Sequence, residues 1–145
     1  MTPLSARQIL RAAERGAADV SDLVTLDYEA RFLRRKVLYT VRDQPVLVDL
    51  AETVSLDHGA CFVLEDGSLI EVIAAEEDLI EVRGKDLIRL AWHIGNRHTP
   101  CQIEETRLLI RKDPVMADLV SRLGAEVSDV SERFLPEGGA YGLGR

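Results

Sequence analysis

Six short segments in the second half of the chain constrain the fold more than any other feature of the sequence. Apolar residues at 87, 90, 91 and 94 have the spacing of one helix face, as do those at 115, 119, 120 and 123. The other segments favour strands, at residues 79–83, 101–105, 107–111 and 126–134. The predicted order is therefore β-α-β-β-α-β, that of the ferredoxin-like split motif.

The end of the first predicted helix places a histidine in a loop. Gly95-Asn96 is expected to end this helix, because both residues tolerate the left-handed backbone conformation that closes one. Pro100 then prevents the helix from resuming. His98 is predicted in a short loop just past the helix, near the negative end of the helix dipole, where a cation is favoured.

The first half of the chain predicts a small all-β domain. Short segments rich in β-branched residues alternate with turns at 22–27, 34–41, 46–50, 61–64 and 69–75, and Asp66-Gly67 is a typical hairpin turn. Residues 8–15 are ambiguous, because their alanines and leucine would also suit a helix. The acidic residues 76–78 interrupt the strand pattern. We expect an α+β protein with domains at residues 1–75 and 76–145.

Composition excludes several classes of protein. A hydrophobic content of 46% with 30% charged residues is typical of a folded globular chain. The net charge of -7 argues against binding nucleic acid through a basic surface. No apolar run approaches the roughly 20 residues needed to span a membrane. Two cysteines cannot form a disulfide framework, and no signal peptide is recognisable, so a cytoplasmic protein is expected.

The stretch 92–103 concentrates the residue types that bind metals, with two of the three histidines and one of the two cysteines. His98 is the leading candidate ligand, since imidazole nitrogen binds nickel, copper and zinc. One imidazole is too few ligands for tight binding. A two-fold symmetric contact between two copies of the chain would supply a second His98.

Three neighbours of His98 have two interpretations each. His93 is expected to be half-buried, as a capping or packing residue or, less favoured, as an auxiliary ligand. Cys101 could add a thiolate ligand in a His-x-x-Cys spacing, or it could be a small buried hydrophobe. Trp92 lies off the apolar stripe, and it suits either an interface anchor or the core.

Two patterns in the first half have structural interpretations. His58 and Cys61 repeat the His-x-x-Cys spacing, and we interpret them as a loop residue and a strand residue. Arg34-Arg35-Lys36 could dock an acidic partner, although such clusters more often form a solvated strand edge.

The sequence resembles a known family in two motifs. One is His93-Ile94-Gly95-Asn96-Arg97-His98 followed by Pro-x-Gln-Ile at residues 100–103, and the other covers residues 134–142, Phe-Leu-Pro-Glu-Gly-Gly-Ala-Tyr-Gly. Both resemble the urease accessory protein E family of nickel metallochaperones.

The resemblance implies a two-part layout with a strand over residues 8–15 and a protein-docking module in the first half. It further implies a homodimer that binds nickel at its interface through His98. The implied partners are the urease apoprotein and the urease accessory GTPase. Many family members continue into a histidine-rich tail, whereas no histidine follows His98 here. Storage of several nickel ions is therefore not expected.

Two alternatives remain at this stage. The chain could be an adaptor of the urease accessory complex that binds no metal. It could also be a hydrolase that uses Cys101 as the nucleophile, His98 as the base and Glu104 as the group that orients the base. No oxyanion loop or substrate-pocket motif accompanies these residues, so a protein without catalytic activity is expected.

Overall fold

The computed structural model describes residues 2–16 and 18–138, which form two compact units divided between Ala75 and Glu76. The α+β class predicted from the sequence is confirmed. The elements of the first unit are β1 (Leu4–Leu10), α1 (Ala12–Arg15), β2 (Asp22–Leu26), β3 (Phe32–Tyr39), β4 (Pro45–Ser55), β5 (Cys61–Leu64) and β6 (Leu69–Ala74).

The first unit is built on a six-stranded sheet with the order β2-β6-β5-β1-β4-β3. Strands β1 and β4 are parallel, as are β2 and β6, while the remaining neighbours are antiparallel. The predicted hairpin turn at Asp66-Gly67 joins β5 to β6. Alternating apolar side chains from the strands form one core, which includes Val24, Val48, Phe62 and Val72.

Residues 8–15 do not form the single strand that the family resemblance implied. Strand β1 ends at Leu10, and the next residues turn into the short helix α1. The Glu14 carboxylate accepts a hydrogen bond from the Arg11 backbone amide at 2.7 Å, which stabilises the start of this helix. The implied strand is therefore wrong at its end, where local capping and alanine propensity decide the structure.

The second unit has the element order β-α-β-β-α-β. Its elements are β7 (Glu76–Arg83), α2 (Leu87–Asn96), β8 (Gln102–Ile103), β9 (Leu108–Arg111), α3 (Pro114–Arg122) and β10 (Glu126–Arg133). They form an antiparallel four-stranded sheet with the order β10-β7-β9-β8. Within the described residues, no helix is long and apolar enough to cross a membrane.

One face of this second sheet packs against both helices. The core there includes Ile80, Val82, Leu108 and Ile110 from the strands, with Leu90, Ile94, Met116 and Val120 from the helices. The apolar stripe predicted for α2 is therefore buried as expected. The stripe predicted for α3 is wrong at its start, because Val115 is exposed and Met116 is buried in its place.

The acidic residues 76–78 belong to strand β7 and do not interrupt the β structure. Strand β7 pairs with β10 along its whole length, so that Glu76 lies opposite Arg133. Glu76 opposite Arg133 is a favourable charge pairing and Glu77 opposite Glu132 an unfavourable one, so backbone pairing with β10 holds these residues in the strand. The sequence predicted only the second part of this strand, residues 79–83, because its first three residues have no apolar alternation.

The other face of the second sheet holds an ion-pair cluster around Arg107. Its guanidinium contacts the carboxylates of Glu81, Glu104 and Glu132 at 2.6–3.2 Å. These hydrogen bonds raise the pKa of Arg107 and contribute to lowered pKa values of Glu81 and Glu132. The cluster thus connects β7, the end of β10 and the turn between β8 and β9.

The segment after β10 runs back to the edge strand β8. Phe134, which was expected to end the last strand, is fully buried beyond it, whereas Val127 on the strand is exposed. The Leu135 amide donates to Gln102 Oε1 at 2.8 Å, and the Glu137 amide donates to the Cys101 carbonyl at 2.9 Å. These bonds hold the segment against the residues that follow His98.

Candidate metal site

The end of helix α2 differs from its predicted end. Gly95 and Asn96 both lie within the helix, and His98 adopts the left-handed conformation, with φ of 57°. Its amide donates to the Gly95 carbonyl at 2.9 Å, and the Thr99 amide donates to the Ile94 carbonyl at 3.3 Å. This pair of bonds is the Schellman arrangement that closes many helices. The predicted stop at Gly95-Asn96 is therefore wrong by two residues.

Helix α3 ends in the same arrangement with a glycine at the equivalent position. Gly124 has φ of 95° and donates to the Ser121 carbonyl at 3.0 Å, while Ala125 donates to the Val120 carbonyl at 3.0 Å. Glycine has no Cβ and adopts this conformation without a steric cost. The two helices of one unit thus use different residues for the same backbone geometry.

A histidine at this position carries a conformational cost. The left-handed conformation costs an L-residue about 1–2 kcal/mol, although histidine occurs there more often than most non-glycine residues. The His98 side chain is exposed, and within the described residues it makes no hydrogen bond or ion pair that would offset this cost. A strained, exposed residue of this kind is a candidate for a functional role.

An apolar surface lies on helix α2, which leads to His98. Ile88 is 87% exposed and Trp92, one turn later on the same face, is 62% exposed. The core alternative for Trp92 is therefore wrong. We call Ile88 and Trp92 the α2 apolar surface. The sequence patterns did not single out Ile88, although it lies four residues before Trp92.

His93 is a packing residue in this structure. Its ring is half-buried and lies edge-on to the Trp92 ring, with 5.0 Å between the ring centroids and an interplanar angle of 90°. The contact fixes the Trp92 indole against the helix, which favours the packing interpretation that the sequence suggested.

Cys101 is buried, and its surroundings oppose ionisation. The side chain is 9% exposed, and burial, with a smaller effect of the Glu137 charge, raises its pKa to about 11. A thiol that remains protonated near neutral pH is a poor metal ligand and a poor nucleophile. The arrangement therefore disfavours the hydrolase alternative as well as ligation by Cys101.

The other His-x-x-Cys pair, in the first unit, also has structural contacts. His58 Nδ1 accepts a hydrogen bond from the Ala74 amide at 3.0 Å, which ties the loop before β5 to the end of β6. Cys61 is fully buried, and Arg15 donates to its sulfur at 3.6 Å. The interpretation of these two residues as loop and strand residues agrees with this geometry.

The described part of one chain does not by itself assemble a metal site. No group of three or more histidine, cysteine, aspartate or glutamate side chains lies close enough to hold an ion among the residues that the structure describes. His98 is the exposed imidazole at a helix end. The second family motif is described only as far as Gly138; residues 139–142 and the short tail at 143–145 lie outside the described residues.

These features define an α+β protein of two compact units, with an exposed histidine next to an apolar helix surface. The chain matches the model of the UreE urease accessory protein N-terminal domain over residues 6–75 and that of the C-terminal domain over residues 77–145. It therefore belongs to the UreE urease accessory protein family, and this membership implies a role in urease maturation.

Two relatives are similar to this chain along most of their length. The urease accessory protein UreE of Ruegeria pomeroyi is 63% identical over 139 residues, which are 96% of this chain and 92% of the relative. That of Cereibacter sphaeroides is 52% identical over 146 residues, covering 100% of this chain and 79% of the relative.

Proposed function

We propose that the chain is a homodimeric nickel metallochaperone that delivers Ni2+ to the urease apoprotein in the cytoplasm without catalysing a reaction. The observation that carries this proposal is His98, an exposed imidazole held at a strained helix end in a member of the UreE family. Zinc or copper would fit the same nitrogen ligand, so selectivity for nickel would have to come from supply and partners.

The dimer would form through the α2 apolar surface. Ile88 and Trp92 lie on one face of the helix that ends next to His98. A two-fold contact through this face would cover both exposed side chains and bring the two helix ends together. Each subunit would then contribute one His98 to a shared site.

A shared site with few ligands suits a protein that must release its cargo. Closed four-ligand cages hold metals firmly, as structural zinc sites do. Two imidazoles leave positions on the ion open to ligands of the next protein. The first unit, residues 1–75, would dock partners, and the resemblance implies that these include the accessory GTPase as well as urease.

The alternative is an adaptor of the urease accessory complex that binds no metal. The observation in its favour is the single exposed histidine, with no metal-binding group of three side chains among the described residues. This adaptor would use the same dimer and docking surfaces but would carry no ion.

Nickel stoichiometry by equilibrium dialysis, combined with light scattering, separates the two functions. The variant is His98→Asn, because asparagine tolerates the left-handed conformation and preserves the helix end. We expect about one ion per dimer in the wild type, because two His98 side chains would share it. The ion should be lost in His98→Asn while the dimer persists. His58→Gln, which removes a histidine from the first unit, should retain nickel.

A second variant tests the shared character of the site. Trp92→Glu places a charge on the α2 apolar surface, so we expect monomers that bind nickel weakly although His98 is intact. Wild-type protein that binds no nickel would support the adaptor. Binding that survives His98→Asn would contradict the assignment of the site to His98.

A further inference from the structure

Strand β3 is an edge strand of the first sheet. It pairs with β4 on one side, and within the described residues no strand pairs with its other side. Only past its end does the chain meet another strand, where the Val41 amide donates to the Leu23 carbonyl of β2 at 2.9 Å. An eight-residue strand with a free edge can accept another strand by backbone hydrogen bonds.

This edge also carries most of the exposed apolar side chains of the first unit. Phe32 is 66% exposed and Tyr39 is 62% exposed, and Val37 and Val41 are exposed as well. Val37 and Tyr39 lie opposite Leu47 and Pro45 of β4, so they share one face of the sheet. Large exposed apolar groups on an open edge are a typical feature of a strand-pairing surface.

Basic side chains lie in the middle of the same strand. Arg34 and Arg35 lie 3.9 Å and 3.7 Å from the carboxylate of Asp49, so one acidic residue faces two arginines. Lys36 is exposed and makes no ion pair within the described residues. The positive charge is local, because the whole chain has a net charge of -7.

The positive charge of β3 determines which kind of strand can pair with this edge. Two copies of β3 paired antiparallel about their middle would bring Arg34, Arg35 and Lys36 of both copies together, and like charges across a strand pair are destabilising. A strand with acidic residues would relieve the charge excess, while its apolar residues would cover Val37 and Tyr39. Charge complementarity thus favours an acidic partner over a second copy of the chain.

We propose that β3 binds an extended, acidic segment of a partner protein, which adds to the sheet as a further strand. The inference specifies the docking role proposed for the first unit and rests on it. The bound segment would carry acidic side chains near Arg34, Arg35 and Lys36 and apolar side chains beside Val37 and Tyr39, so its acidic and apolar residues would lie in two successive blocks along the strand.

The probe for this test is a synthetic nine-residue peptide with glutamates in one half and valines in the other, titrated into the protein and followed by backbone amide NMR. We expect shifts concentrated in residues 32–39 and a dissociation constant below about 1 mM. The same peptide methylated on every backbone nitrogen should not bind, because neither of its edges can donate ladder hydrogen bonds. A peptide with lysine in place of glutamate should not bind either.

The matched variants separate this edge from the rest of the unit. Arg35→Glu combined with Lys36→Glu should weaken peptide binding about tenfold or more. Arg7→Glu makes the same kind of charge change on the central strand β1 and should leave peptide affinity unchanged. Nickel binding, measured on each variant, should not change, so a failure of peptide binding is distinguishable from a failure of the metal site.

Three results would overturn the inference. One is peptide binding that survives the double charge reversal or shifts residues away from β3. Another is the absence of any binding at about 1 mM peptide. The third is dimerisation through β3 in the Trp92→Glu background, which would identify a second copy of the chain as the occupant.

Discussion

His98 and Gly124 occupy equivalent positions at two helix ends and differ in what they can do there. Both have positive φ angles and donate to the last turn of their helices. Glycine is the residue that the backbone geometry favours, and histidine adds a metal-binding side chain at a conformational cost. The two helix ends of one unit therefore separate what the backbone geometry requires from what the side chain adds chemically.

Exchange of the two residue types tests this cost. We expect His98→Gly to leave the free energy of unfolding unchanged or to raise it by up to about 1 kcal/mol, because relief of strain offsets the greater freedom of the unfolded chain. Gly124→His should lower it by about 1–2 kcal/mol. Urea denaturation measures both. A loss of stability in His98→Gly as large as that in Gly124→His would show that the His98 side chain stabilises the fold.

Cys101 allows a second prediction for a single residue. Because its thiol is buried and its pKa is raised to about 11, Cys101→Ala should leave nickel stoichiometry unchanged. The smaller side chain should lower the free energy of unfolding by about 1 kcal/mol, through lost packing. Equilibrium dialysis and urea denaturation measure the two effects. Loss of nickel in this variant, with the dimer intact, would identify the thiol as a ligand.

At the scale of elements, the Arg107 cluster joins strands β7 and β10 to the turn between β8 and β9 through charge. Arg107 is 17% exposed in its side chain, and Glu104 and Glu132 are exposed by 36% and 37%. Solvent therefore screens part of the attraction. Removal of the guanidinium would leave Glu81, Glu104 and Glu132 facing one another, which costs more than the loss of the hydrogen bonds alone.

The pH dependence of stability tests the cluster. Hydrogen bonds from Arg83 and Arg107 lower the pKa of Glu81, and those from Arg107 lower that of Glu132. The unfolded state therefore binds protons more readily, so this stabilisation is present above the unfolded pKa and is lost as the pH falls through the folded pKa values. We expect the free energy of unfolding to fall as the pH is lowered below about 4.5.

Arg107→Met should reduce or reverse that slope, because protonation would relieve the repulsion among the remaining carboxylates. The variant should also be less stable by about 2 kcal/mol at neutral pH. Arg122→Met breaks the exposed pair with Asp118 on α3 and should keep the wild-type slope. Chemical denaturation at several pH values measures these effects, and an unchanged slope in Arg107→Met would contradict the role of the cluster.

For the whole molecule, the two separate hydrophobic cores suggest that the two units have different functions. One core cluster consists of residues from the first unit and the other of residues from the second. Both the α2 apolar surface and His98 belong to the second unit. The proposed dimer and metal site therefore require nothing from residues 1–75.

Separate expression of the two halves tests this division. Residues 76–145 alone should unfold cooperatively, dimerise and bind nickel with the stoichiometry of the full chain, because their core is complete. Residues 1–75 alone should fold without binding nickel. Thermal unfolding measures folding, light scattering measures dimerisation, and equilibrium dialysis measures nickel binding. Nickel binding that requires both halves would contradict a metal site confined to the second unit.

The sequence by itself determined the features that are encoded within one segment. The period of apolar residues identified helix α2 and its buried Leu90 and Ile94, because a helix places residues three and four apart on one face. Asp66 and Gly67 located the hairpin turn, because the preference for a turn is likewise encoded in a few adjacent residues. The α+β class followed from the order of these segments, and His98 was expected past the helix end where it lies.

Only the tertiary structure decided the features that join distant segments. Arg107 meets Glu81 and Glu132, which are 26 and 25 positions away, because strand order brings β7, β9 and β10 together. The burial that raises the pKa of Cys101 likewise depends on which segments become neighbours. The free edge of β3 depends on the order of the strands in its sheet. The left-handed conformation of His98 depends on where the last turn of α2 closes. Local periodicity contains no record of such neighbours, and the proposed metal site and the proposed docking edge both depend on them.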